Sequence, residues 1–293
     1  MERLLLVGCG DVARRALPAL TARYRVSAVL RDAAKARAVA GSGAEFLLAD
    51  LDDAASLAPL AGRFARVLHL APPPESGAED SRSRRLGEVL GRARPPHRLV
   101  YISTSGVYGD CGGAWVDESR PVAPRTARAA RRVDAERYWS AWGEAHDVDI
   151  MTLRVPGIYA ADRLPVDRLR RGTPLLRSED DVYTNHIHAD DLAAICVAAL
   201  ADHAPAGTYN TADDSAMTMG DYFDLVADRQ RLPRPARITR AEAEARIPPA
   251  LLSFMSESRR LVNARMKREL GVALRYPTVH EGVPFAAAAR AGA

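Results

Sequence analysis

Lysine is almost missing from this chain of 293 residues. Of its 41 basic residues, Lys35 and Lys267 are lysine and the rest are arginine. Against 37 acidic residues the formal net charge is +4. The arginines are interspersed with acids along helical stretches and form no basic stripe, so the small excess argues against a nucleic-acid partner. Cysteine is scarce too. Cys9, Cys111 and Cys196 lie far apart and form no C-x-x-C pair, which excludes a disulfide framework and a zinc site of that type. No stretch reaches the roughly 18 apolar residues that span a bilayer. The apolar run in the opening MERLLLVGCG is too short for a signal peptide, and no small-residue cleavage site follows it. These absences lead to the expectation of a soluble, cytoplasmic protein without a membrane partner. Hydrophobic residues are not in short supply: at 47% they suffice for an ordinary globular core. The length fits one large domain, or two that share a core.

Short apolar runs alternate with helical patterns through the first half. RLLLV (3–7), RVSAVL (25–30), AEFLL (44–48), ARVLHLA (65–71), HRLVYIS (97–103) and VDIMTLR (148–154) read as strands. Between them, residues 11–23, 33–40, 53–60, 78–93 and 123–145 read as helices. This alternation predicts βαβ units and a parallel sheet buried on both faces, an α/β doubly wound fold of Rossmann type. After Arg154 the pattern loosens. Residues 182–188 read as a strand and 190–201 as a helix, and 182–213 are expected to return to the sheet. Residues 1–155 with about 182–213 are therefore expected to form a dinucleotide-binding domain. Residues 156–181 and 214–285 would form a smaller, mostly helical substrate lobe, and 286–293 a frayed tail.

The sharpest local signal follows the first strand. Gly8-Cys9-Gly10-Asp11-Val12-Ala13 fits G-x-G-x-x-A at a strand-to-helix turn. Gly8 would make the tight turn, and Gly10 would let a pyrophosphate approach the backbone. Ala13 would let helix and strand pack closely, while the helix N-terminus carries the anion. The rival reading is a tight turn that binds nothing. A group at the end of the second strand chooses between dinucleotides: an acid grips a ribose hydroxyl, a base accepts a 2′-phosphate. Here Arg31 leaves the strand, and Lys35 returns to the same side one helical turn later, which favours NADP over NAD. In the alternative both cations are solvated and Asp32 takes the ribose. Asp50 and Leu51, closing the third strand, would flank the adenine, or Asp50 would merely help cap a helix, with Asp52 or Asp53 as the cap. Ala71 and Pro72, opening the Pro72-Pro73-Pro74 run, would line the same cleft.

Several further stretches resemble the short-chain dehydrogenase/reductase superfamily, in its extended or atypical branch of NAD(P)-dependent epimerases and dehydratases. Residues 100–109, VYISTSGVYG, resemble that branch's S-S/T-x-x-V-Y-G strand end. Residues 154–159, RVPGIY, resemble its R-x-P-G-I-Y segment, which includes Pro156 in the cofactor cleft. Residues 185–192, NHIHADDL, resemble its N-x-I-H-V-D-D-L segment. The glycine pattern departs slightly from the branch's G-x-x-G-x-x-G, with Val7 and Ala13 at its outer positions. The resemblance implies a substrate-orienting hydroxyl at Thr104, a proton-transferring Tyr and, four residues on, a Lys that holds the nicotinamide ribose. Anchoring on Ala135-Glu136 puts Arg128 at the Tyr position and Arg132 at the Lys position. Arginine can still hold ribose hydroxyls, but it stays protonated near neutrality and cannot shuttle a proton. Tyr108, Tyr159, His69 and His186 are the conceivable stand-ins, unless they only pack around the cleft.

His186 and His188 with Asp190 and Asp191 could be drawn as a metal site, but Asp190 reads more simply as a helix N-cap, so no metal is expected. Trp139 and Trp142 belong to a core or an interface, and a homodimer is as compatible with the sequence as a monomer. Two functions stay open. One is an NADP-using oxidoreductase or epimerase acting on a small polar, sugar-like molecule through an atypical site. The other is a catalytically silent NADP-binding regulator or redox sensor.

Overall fold

The computed structural model describes residues 1–34 and 41–286. The helix expected over 33–40, with Lys35, and most of the expected frayed tail thus lie outside the described residues, apart from Ala33 and Ala34. Seven strands build the central sheet: β1 (Arg3–Val7), β2 (Arg25–Leu30), β3 (Glu45–Leu48), β4 (Arg66–His69), β5 (Arg98–Thr104), β6 (Asp149–Val155) and β7 (Gly207–Asn210). Their order is β7-β6-β5-β4-β1-β2-β3, and every pairing is parallel. The order reverses between β1 and β4, the topological switch point at which such sheets bind ligands.

The first strand explains why the sheet was legible as apolar runs. Leu4, Leu5 and Leu6 are all fully buried. Leu4 and Leu6 join one hydrophobic cluster with α1 (Asp11–Thr21), while Leu5 and Val7 point into the opposite one. Side chains alternate along a strand, so a strand covered on both faces is apolar at every position. The second layer contains α2 (Ser81–Leu90) and α3 (Ala127–His146). Thr126 starts α3 by accepting from the Ala129 amide at 3.1 Å. The helix begins four residues later than the sequence pattern suggests because Pro121 and Pro124 hold the chain before it extended. Trp139 and Trp142 of α3 are buried against α2, their indole N–H groups donating to Ser83 Oγ (3.2 Å) and the Gly87 carbonyl (2.9 Å).

A third cluster lies beyond the sheet. It gathers residues from α4 (Val166–Arg170) and α6 (Met219–Arg229) with Tyr159 and Val279. The expected return of residues 182–213 to the sheet is made by β7 alone. Tyr183–Thr184 pairs with Met217–Thr218, and His186–His188 pairs with Gly157–Tyr159. Asn185 interrupts the expected strand, since its side chain is turned to the Leu261 amide (2.7 Å) and the Arg259 carbonyl (3.0 Å). The next helix, α5 (Ala189–Ala199), packs against α1. Its cap is not Asp190 but His188, whose Nδ1 accepts from the Asp190 amide at 3.2 Å. Asp190 already sits in the first turn, where a negative charge suits the helix dipole, and it bonds Arg15 at 2.6 Å.

The α2–α3 seam makes a stability prediction. Trp139 is fully buried and packs edge-on to His69 and Trp142. Trp139→Ala should cost about 3–5 kcal/mol, seen as a lower urea midpoint with an unchanged slope. A loss of less than about 1 kcal/mol, the size of an ordinary surface change, would remove this seam from the folding core.

Candidate functional site

The turn after β1 is built around a close approach. Gly8 has φ +94°, and a Cβ there would lie 2.6 Å from the Ala71 nitrogen. Only glycine lets the two neighbouring strand ends meet this way. Gly10 precedes α1 and caps it without any side-chain hydrogen bond, and a Cβ on Gly10 would meet nothing within 4 Å. The space beside the start of α1 is thus open, as a phosphate held at the helix N-terminus requires. Gly8, Gly10, Arg31, Asp50, Leu51, Ala71 and Pro72 all line one cavity of about 470 Å³ beside this turn. Val12 and Ala13 instead pack into the core. The Asp11 carboxylate turns aside to Arg15 (3.1 Å) and Arg163 (3.2 Å), and these cations hold it below the ordinary carboxylate range despite its partial burial. Asp50 accepts from the Asp52 amide at 2.9 Å, while Asp32 accepts from the Ala34 amide at 2.8 Å. The short 3-10 helix after β3 follows Ala54, with Asp53 accepting from the Ala55 amide at 3.0 Å. Nothing in the sequence pattern pointed to Arg82, which reaches from α2 to Asp52 (2.9 Å) and the Pro72 carbonyl (3.2 Å) across the mouth of this cavity.

A second cavity, of about 560 Å³, continues along the strand ends. Arg31 and Pro72 line it too, together with Thr104, Arg128, Arg132 and Pro156. Thr104 ends β5, its Oγ1 accepting from the Gly106 amide at 3.3 Å. Arg132 donates to the Ile102 carbonyl (2.6 Å) and the Tyr101 hydroxyl (3.0 Å). One turn earlier, the Arg128 guanidinium lies 4.4 Å over the Phe254 ring. Behind them runs a buried polar chain. Ser103 donates to Glu136, Glu136 pairs with Arg154 at 2.8 Å, and Arg154 donates to the Tyr108 hydroxyl at 2.8 Å. Tyr108 in turn donates to Asn210 at 2.8 Å.

Thr104, Arg128, Pro156 and Ile158 also border a third cavity, of about 480 Å³, on the side of the outer lobe. Tyr159, Tyr183, Tyr222, Phe223 and Phe254 give it aromatic walls, and Arg163, Arg168 and Arg259 add charge. None of these was singled out from sequence for this role except Tyr159, because they come from segments far apart in the chain.

The four conceivable proton donors differ in reach. His69 is fully buried beside Ser83 (3.3 Å), and desolvation, helped by the Arg132 charge, pushes it down to about 3. Tyr108 is buried and engaged at both ends, and burial raises its pKa despite Arg154. His186 stacks on Tyr222 at 4.1 Å and is pushed down to about 3 by burial. Tyr159 donates to the Thr278 carbonyl at 3.3 Å, and burial raises it as well. Near Tyr159 and Tyr222, burial lifts Asp213 to about 7. Among the described residues no group of three His, Cys, Asp or Glu side chains is placed to hold a metal ion, and no helix is long and apolar enough to cross a membrane.

Comparison with known proteins agrees with the fold. A functionally unknown conserved protein from Silicibacter pomeroyi has a solved structure that is 32% identical in sequence. Its TM-score is 0.80, with 96% of each chain covered. The UDP-glucose 4-epimerase of Thermus thermophilus, solved in complex with NAD, shares the fold at a TM-score of 0.76 over 96% of each chain, with 20% identity. A dTDP-glucose 4,6-dehydratase from Streptomyces niveus is 36% identical over 107 residues, or 35% of this chain. That match spans about a third of the length of the dehydratase, 32%. The model of the NAD dependent epimerase/dehydratase family matches residues 8–212, well over half of the sequence. The chain belongs to the NAD dependent epimerase/dehydratase family.

Proposed function

We propose that this chain is an NADP-preferring oxidoreductase or epimerase of its family, acting on a small polar, sugar-like molecule without the usual Tyr-x-x-x-Lys pair. The observation that carries the reading is the junction at Thr104 and Arg128, where the cleft beside the glycine turn opens into the aromatic cavity. Residues 1–155 with about 182–213 would bind the dinucleotide, and residues 156–181 with 214–285 would close over the substrate. The glycine turn fits the cofactor, since the start of α1 borders a space that a side chain at Gly10 would enter. A bound nicotinamide supplies hydride transfer. The chain's own residues do the rest. Gly8 and Gly10 admit the pyrophosphate, with Asp11, Val12 and Ala13 offering the helix end. Asp50, Leu51 and Ala71 take the adenine side. Arg132, Pro72 and Pro156 face the nicotinamide ribose, and Thr104 orients the substrate oxygen.

The preference for NADP is supported by Arg31, exposed at the cleft edge. Arg128 and Arg132 hold charge and cannot move a proton at neutral pH. Of the stand-ins, Tyr159 and His186 border the substrate cavity, whereas His69 and Tyr108 are buried away from it. A second reading, the silent NADP-binding regulator, is favoured by the same shortage of a proton donor at the junction. Turnover separates the two: steady NADPH oxidation with any carbonyl or sugar substrate removes the regulator.

Three measurements test the proposal. Fluorescence titration should show NADPH binding at least about tenfold tighter than NADH, since a charge-assisted bond to phosphate contributes about 1.5–3 kcal/mol. Arg31→Ala should erase the difference, and equal affinities in the parent protein would sink the NADP assignment. Gly10→Val should abolish dinucleotide binding and leave thermal unfolding intact, because the new side chain fills only the phosphate's space. Retained binding would mean the glycine turn has another purpose. Arg132→Ala should weaken NADPH more than Arg128→Ala, and activity on ordinary nucleotide-sugar substrates should be negligible. If neither substitution changes NADPH affinity, the pair is a solvated helix face. Brisk turnover of a standard nucleotide sugar would assign proton transfer to another side chain.

A further inference from the structure

The aromatic cavity contains a cation whose bonding is incomplete. Four guanidiniums border it, and among the described residues Arg168 is the one of them with two buried nitrogens left without a partner. Arg163 bonds Asp11 at 3.2 Å. Arg259 bonds Glu257 at 2.8 Å and the Gly109 carbonyl at 2.7 Å, both through Nη1, so its charge is paired although its Nε has no partner among the described residues. Arg128 rests on Phe254, which is half exposed at the rim. Arg168, in the short helix α4, lies 4.5 Å over the Phe223 ring. Its Nε and Nη2 are both buried and have no hydrogen-bond partner, and among the described residues it forms no ion pair. Burial alone pushes it down to about 10.

The identity of the two orphaned nitrogens matters. Nε–H and one Nη2–H point the same way and form the side-on edge of the guanidinium, the edge that takes two oxygens of a carboxylate or phosphate in parallel bonds. Leaving that edge dry and unmet costs free energy that a matching ligand recovers. The surroundings favour an anion with a flat, apolar body. The wall opposite solvent is aromatic, and His186 stays neutral on it, stacked on Tyr222. Glu257, the carboxylate that borders the cavity, has its charge paired with Arg259 through Oε2, while its Oε1 has no partner among the described residues.

We propose that Arg168 forms an oxyanion subsite, gripping through its Nε–Nη2 edge a carboxylate or phosphate carried by a ring-bearing substrate whose reacting end lies toward Thr104. This deepens the functional reading above and rests on the cavity being where the substrate binds. It gives the substrate polarity: the anionic end sits under α4 and α6, and the end to be transformed sits at the junction with the dinucleotide cleft.

The test is thermal unfolding of the full chain, with and without NADPH, against three ring probes at millimolar concentration. Benzoate carries a carboxylate, phenyl phosphate a phosphate ester, and benzamide is the neutral counterpart of benzoate. Benzoate or phenyl phosphate should raise the melting temperature as binding to the native state requires, benzamide should not, and the larger of the two anion shifts identifies the oxyanion. In Arg168→Gln the anion shift should vanish while the shift produced by NADPH stays. Arg168→Lys, with the charge but without the fork, should restore only part of the anion shift. The inference is overturned if benzamide acts as strongly as benzoate, if neither anion acts, or if Arg168→Gln keeps the shift. Failure of the dinucleotide reading registers separately, as a missing NADPH shift in the parent protein.

Discussion

Arg154 stands at the working edge of the sheet with its guanidinium divided between Glu136 and Tyr108, and the geometry of the cleft depends on that division. Glu136 belongs to α3, Arg154 to β6, and Ser103, which donates to the same carboxylate, to β5. Tyr108 extends the chain to Asn210 at the end of β7. One buried ion pair therefore sets the height and rotation of α3 relative to three strand ends. A buried pair of this kind is weak evidence of net stability, since desolvation offsets much of the attraction. Its value lies in register: either partner alone would be an unpaired charge in the core, so alternative positions of α3 are strongly disfavoured.

Fixing α3 fixes what it presents. Arg132 is held over the end of β5 by the Ile102 carbonyl and the Tyr101 hydroxyl, and Arg128 follows one turn away on the same face. Two permanent cations beside Thr104 make this region attractive to anions and poor at proton transfer. The charge also acts at a distance on its neighbours, since the Arg132 cation adds to burial in keeping His69 neutral. Under the proposed function the cleft would bind and polarise, and a proton would come from the side of the outer cavity.

The sheet was legible because strands covered on both faces leave no polar positions, as Leu4, Leu5 and Leu6 show. The glycine turn was legible because a positive φ and a backbone contact at Gly8 admit no other residue. Thr104, Arg128 and Arg132 were singled out through the family resemblance, and they line one cavity because a strand end and a helix carry them side by side. The segment 182–188 misled because its β-branched and aromatic residues suit a strand, while the bonds of the Asn185 side chain, which break it in two, are made to residues more than seventy positions away. The cap at His188 was missed for a local reason: an aspartate is the commoner cap, and a histidine Nδ1 serves as well when its ring is buried and neutral. The outer cavity was hidden for the same distance reason as Asn185. Arg168, Tyr222 and Arg259 lie on separate elements, and no spacing links them.

The near-absence of lysine has a consequence for that cavity. Its positive charge comes from guanidiniums, which keep their proton at physiological pH even where burial lowers Arg168, and which bind in a plane rather than as point charges. Its histidine is driven far below neutrality by burial. Asp213, behind the Tyr159–Tyr222 wall, is the contrasting case. With a native pKa of about 7 against an ordinary 3.8, it retains its proton while the unfolded chain gives it up, so its contribution to stability falls as pH rises between those values and is constant above them. The guanidiniums thus stay charged and His186 stays neutral across the physiological range, while Asp213 in the wall behind them titrates within it. If the cavity holds the substrate as proposed, its selectivity would come from shape and from the planar geometry of the arginine fork rather than from a change of charge.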